Sequence, residues 1–153
     1  MRPLFLLWRI ENMAYQATKH KRVTEELELV DDNGVVQHTI VVDLDASTMV
    51  KQLSEKQLAL VHAQKEFANI QATGGDAMET LNTVGAVATD LFQAVFGIEN
   101  YNVIAAFYGD KVVEMCQEIL PFVINVIIPK VREVAQDSKK QMLNGYKSKG
   151  LKR

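Results

Sequence analysis

The chain has 153 residues, 48% of them hydrophobic. That suffices for one globular domain to bury roughly 70% of its unfolded surface without a metal or disulfide staple. A charged fraction of 24% with net charge -2 excludes global disorder, a single cysteine excludes an intrachain disulfide framework, and three prolines with eight glycines exclude collagen-like or proline-rich architecture.

Taken in chain order, the first twelve residues, MRPLFLLWRIEN, are apolar and then charged. Residues 4–8 fall short of a secretory h-region, and no small-residue cleavage site follows. Trp8 is encoded by TGG, and an AGG codon for Arg9 would complete TGGAGG, a bacterial ribosome-binding core three codons before Met13. The expectation is that Met13 is the start, that residues 1–12 are translated leader, and that residues 1–22 form a flexible arm ahead of a domain over 23–146.

Residues 23–30 (VTEELELV) and 35–44 (VVQHTIVVDL) alternate with period two around Asn33-Gly34, the favoured pair for a two-residue type I′ hairpin. That turn predicts the pairs Val30–Gln37, Leu29–His38, Leu27–Ile40 and Val23–Leu44. Val23, Leu27, Leu29, Val36, Ile40, Val42 and Leu44 then share one face, with Glu25 as its exception. Two strands alone are marginal, so helices or another chain must cover that face.

Asp45 or Ser47 is placed to cap a helix reaching about Ile70, with Ala46, Met49, Val50, Leu53, Leu60, Val61 and Phe67 at helical spacing. Thr73-Gly74-Gly75 breaks it. Asp76 with Glu79 resembles a capping box, and the helix it opens carries Met78, Leu81, Val84, Ala88, Leu91, Phe92 and Val95 before Gly97. A short helix over residues 101–108 ends at Gly109. Asp110 is expected to cap the last helix, kinked at Pro121 and Pro129 or broken at Pro129. Its most apolar stretch, LPFVINVIIP over 120–129, is too short to span a bilayer. The fold class is therefore α+β, mostly helical: an N-terminal β-hairpin, then a bundle of about four helices, the last kinked at proline.

No catalytic constellation emerges. His20, His38 and His62 are scattered, Cys116 sits among apolar neighbours as a structural thiol would, and Gly74-Gly75 lacks the Lys-Ser/Thr of a phosphate-binding loop. The residues predict a non-enzyme with no cofactor and no metal. Asp110, Glu114 and Glu118 form an acidic i, i+4, i+8 stripe, a solvated face or a contact for a basic partner. The net charge conceals an asymmetry: residues 130–153 carry +6 and residues 1–129 carry -8. An electrostatic tail containing Lys139, Lys140, Lys147 and Lys149, basic and disordered over 147–153, suits acidic partners, nucleic acid or another copy of the chain. Nucleic acid is the weaker match, since Tyr146 is the tail's only aromatic residue and no arginine run occurs.

The strings TIVVDLDASTMVKQL and DLFQAVFGIENYNVIAAFYGDKVVEMCQEILPFVINVIIPKVREV, with the lysine-rich end, resemble a family of small proteins from phages and prophages of Gram-positive bacteria. The resemblance covers roughly residues 23–146 and is most specific over 90–134. It implies a gene in the tail-morphogenesis cassette, near the tube and tape-measure genes. The protein would then be a tail assembly chaperone that coats the helical tape-measure protein in the host cytoplasm, or else a structural tail component of the virion. Self-association and no membrane contact are expected. Ser138-Lys139-Lys140, if encoded TCA AAA AAG, would hold a slippery heptamer for a frameshifted longer form. For binding a helical partner, the candidates are Met49, Leu53 and Leu60 on the first long helix, Met78, Phe92 and Phe96 on the second, and Glu114 and Glu118 on the last.

Overall fold

A computed structural model describes residues 14–17, 19 and 21–151, with side chains as far as Asn144. The expected leader over 1–12 and His20 lie outside the described residues. Strands β1 (Arg22–Val30) and β2 (Val36–Asp45) form a two-stranded antiparallel hairpin. The helices that follow are α1 (Ala46–Ala72), α2 (Met78–Phe96), α3 (Ile98–Phe107), α4 (Val112–Phe122) and α5 (Ile128–Leu151). A π turn, Val123–Ile127, joins α4 to α5 without a break, so four helical rods succeed the hairpin. The molecule is α+β and mostly helical, as the residue pattern predicts.

The hairpin keeps the predicted pairs Leu29–His38, Leu27–Ile40 and Val23–Leu44, but Val30 faces Val36 rather than Gln37. The turn explains the change. Gly34 N–H donates to Asp31 O (3.0 Å), and Asp31 N–H donates to Val35 O (3.0 Å). Gly34 alone in the loop has positive φ (+79°), so Asn33 stays right-handed and the predicted type I′ turn is not formed. A type I turn followed by a left-handed glycine closes a three-residue loop, and the bulge leaves Gln37 unpaired. Asp31 stabilises this alternative. Its Oδ1 accepts Asn33 N–H (2.9 Å) and Val35 N–H (3.0 Å), and its Oδ2 accepts Gln37 Nε2 (2.7 Å). These bonds, Val35's foremost, hold its carboxyl below the usual carboxylate range. Beyond the bulge Val36 is exposed, a correction to its place on the apolar face.

Val23, Leu29, Ile40, Val42 and Leu44 bury against the helices, β2 meeting α2 and β1 meeting α5. Glu25, the exception on that face, is held by an ion pair to Lys130 of α5. The core runs on through Leu53, Leu60, Leu91, Phe92, Val95, Phe96, Ile104, Met115, Ile119, Val123, Ile127, Ile128, Val131 and Val134. Fully burying a side chain such as Phe92 contributes about 1.5–3 kcal/mol.

Two predicted caps shift by one residue. Asp76 Oδ1 accepts Met78 N–H (3.0 Å), although Ala77 holds the capping position. Asp110 does not cap α4: Gly109 and Asp110 both take positive φ (60° and 61°) to turn the chain out of α3. A capping residue needs extended backbone, and Lys111 supplies it with φ -80° and ψ 90°. Asp45 is the N-cap of α1, without a side-chain cap bond. Gly97, with φ +81°, ends α2 as expected and starts α3 at once, three residues earlier than the spacing predicts.

The chain remains helical through Pro121 and Pro129; no break occurs at Pro129. Ile128 N–H reaches back five residues to Val123 O, so the wide turn falls just before the proline that has no N–H to give. Buried positions from Met115 to Val134 recur about every 3.8 residues, slower than the 3.6 of an α-helix. The extra residue held by the π turn takes up that drift and keeps one face toward the core. Asn125 lies on the exposed side, so it needs no buried partner. α5 then runs to Leu151, past the point where the sequence predicts a disordered tail.

Candidate functional site

Helices α2 and α4 approach each other most closely at Gly85. A Cβ built there would stand 3.3 Å from Val112 Cγ1. Beside this contact lies a solvent-open groove of about 500 Å³. Leu81, Val84, Gly85 and Ala86 of α2 form one wall, and Val112, Val113, Cys116 and Leu120 of α4 form the other. Gln64 of α1, Asn82, Thr89 and Gln117 supply its polar atoms, all uncharged. Val113 is 55% exposed, an apolar residue left facing water in the first turn of its helix. Burial pushes the Cys116 thiol up, away from the thiolate that nucleophilic chemistry requires.

The residues singled out from the sequence separate sharply. Leu53, Leu60, Phe92 and Phe96 are buried in the core and present no surface to a partner. Their helical spacing is the signature of a core face, and they are withdrawn as contact residues. Met49 is partly buried against the same core. Met78 remains exposed (63%), at the start of α2. Glu114 and Glu118 are exposed on α4. Both raise the phenol pKa of Tyr108, after the larger effect of its burial. Lys139 and Lys140 are exposed on α5, whereas the side chains of Lys147 and Lys149 lie outside the described residues. The groove residues Ala86, Val112 and Val113 were missed. Their available signal was Gly85, a glycine in mid-helix, which often marks a close backbone approach.

A second cleft lies between the lead-in to β1 and the far end of α5. It is lined by Lys19 and Lys21 on one side and by Val134, Asp137, Ser138, Gln141 and Met142 on the other. Among the described residues no three His, Cys, Asp or Glu side chains converge as metal ligands would. His62 lies 3.4 Å from Glu66 in an exposed i, i+4 pair, and the His38 ring meets Phe107 edge-on.

By length and composition Val112–Asn144 would cross a membrane, because the π turn joins segments that the sequence reading treated as too short. The core helix of a folded domain passes the same test, and here Met115, Ile119, Val123, Ile127 and Val131 of that rod are packed into the core. The chain matches no protein-family model, no curated protein and no solved structure.

Proposed function

We propose that this chain is a non-enzymatic morphogenesis protein of phage tails, an assembly chaperone that holds the tape-measure protein until tube subunits polymerise around it. The family resemblance over residues 90–134 supplies the biological setting. The observation that carries the reading is the α2–α4 groove: apolar walls, open to solvent, with amide and hydroxyl groups but no charge among its lining residues. Such a groove accepts the apolar face of a helix. Uncharged amides make few demands on the flanking residues, which suits a partner presenting many similar helical segments in turn. Exposed Met78 and Leu58 (63% and 70%) add adaptable apolar surface on the same helical pair.

The test is co-expression with the long helical protein expected from the neighbouring tail genes. Ala86→Trp fills the groove from an exposed position. It is expected to abolish co-purification while the thermal midpoint stays within a few degrees of the parent. Undiminished capture by Ala86→Trp would refute the groove as the binding site. A mass-spectrometric inventory of mature particles separates the two roles: the chaperone reading expects this chain to be absent, and stoichiometric copies would assign it to the virion instead.

A further inference from the structure

The fold brings together two basic segments that are far apart in sequence. Lys19 and Lys21, just ahead of β1, line one cleft with Ser138 and Gln141 of α5. Lys139 and Lys140 are the next exposed residues on the same helix. Asp137 is the single acid in the cleft, so cations prevail at this end of the molecule. At the opposite end of the same rod Glu114 and Glu118 stand exposed, one helical turn apart, beside Asp110. From Glu118 to Ser138 is twenty residues of continuous helix, about 30 Å at 1.5 Å per residue. A rod cannot fold back on itself, so the acidic and basic ends cannot meet within one molecule.

We infer that the cleft formed by Lys19, Lys21 and the residues around Ser138 is a docking surface for a second copy of this chain, which presents its Asp110–Glu114–Glu118 face. Charge complementarity selects this occupant over a nucleic acid, because a polyanion would also meet the -8 charge carried by residues 1–129. A second copy instead brings the matching sign on a helical face. The contact is heterologous: each copy offers a basic end and an acidic end, so repetition gives a ring or an open helical stack rather than a closed two-fold dimer. The inference stands on this geometry and does not depend on the chaperone reading.

Sedimentation velocity on the full chain tests it. The average mass is expected to rise with protein concentration at about 50 mM salt and to return to monomer at about 500 mM, where the screening length is short. Glu114→Lys with Glu118→Lys, and separately Lys19→Glu with Lys21→Glu and Lys140→Glu, should each weaken self-association at least tenfold. Mixing the two variants should restore it, because each then carries the partner the other lost. Glu55→Lys with Glu79→Lys, exposed acids on other surfaces, should leave association unchanged, and circular dichroism melts confirm that all variants fold. A monomeric parent at every concentration would overturn the inference, as would salt-independent association or failure of the mixture to reassociate. Tight binding of single-stranded DNA that is lost in the lysine variant, without self-association of the parent, would assign the cleft to nucleic acid instead.

Discussion

The two ends of the α1–α2 hairpin are built from similar residues and behave oppositely. Near the strands, Leu53 and Leu60 of α1 meet Leu91, Phe92, Val95 and Phe96 of α2, and all six are buried. Past Ala63, α1 has no buried residue, and Thr80 is the only buried residue in the facing first part of α2. The difference is what lies across from each half. β2 and the long rod close over the first, whereas α4 only flanks the second and leaves the groove at Gly85. Apolar periodicity marks a face that can be buried; a third element decides whether it is.

The contrast predicts graded effects. Phe92→Ala, in the closed half, should cost about 3–5 kcal/mol, read as a loss of denaturant midpoint or a thermal midpoint lower by tens of degrees. A loss below about 1 kcal/mol would mean that the closed half is not packed as described. Deleting Asn125 tests the rod that closes that half. It removes the extra residue of the π turn and returns the buried spacing to that of an α-helix. The variant should therefore fold cooperatively with a smaller loss than Phe92→Ala. Loss of a cooperative melt would show that the wide turn itself is required.

Amide exchange sharpens the same comparison without mutation. Residues 64–72 and 78–84 should exchange through local openings well before residues 88–96, which should approach the global limit. Equal protection in both halves would break it. In the open half, Leu58→Ala and Met78→Ala should stay within about 0.5 kcal/mol of the parent, as exposed positions do. Met78→Ala should nonetheless weaken co-purification with a helical partner.

The hairpin turn gives the most confined effect, in pH. Asp31 has its carboxyl pKa lowered from 3.8 by the bonds it accepts. Its contribution is thus present above the unfolded value and lost as pH falls through the folded value, below about pH 3.8. Asp31→Ala should lower the thermal midpoint at pH 7, and the gap to the parent should close in acid below that point. A gap that persists at pH 2 would assign the effect to something other than the carboxylate.

The identity of the elements lay in the sequence, because local physics decides it. Period-two alternation about Asn33-Gly34 produces a hairpin, and 3.6-residue spacing bounded by Gly97 and by Thr73-Gly74-Gly75 produces helices. The core role of Leu53, Phe92 and Phe96 was legible in the same spacing once it was weighed against exposure. Other outcomes required the tertiary structure. Asp31 competes for the turn only when Gln37 and Val35 come within reach, so the loop gains a residue and Val36 moves into solvent. The rod survives two prolines because its core-facing side must stay in phase from Met115 to Val134, and packing along that length outweighs the lost backbone bonds. The groove at Gly85 and the meeting of Lys19 and Lys21 with Ser138 join segments dozens of residues apart or more. Proximity of that kind is set by how the rods pack, which no local pattern records.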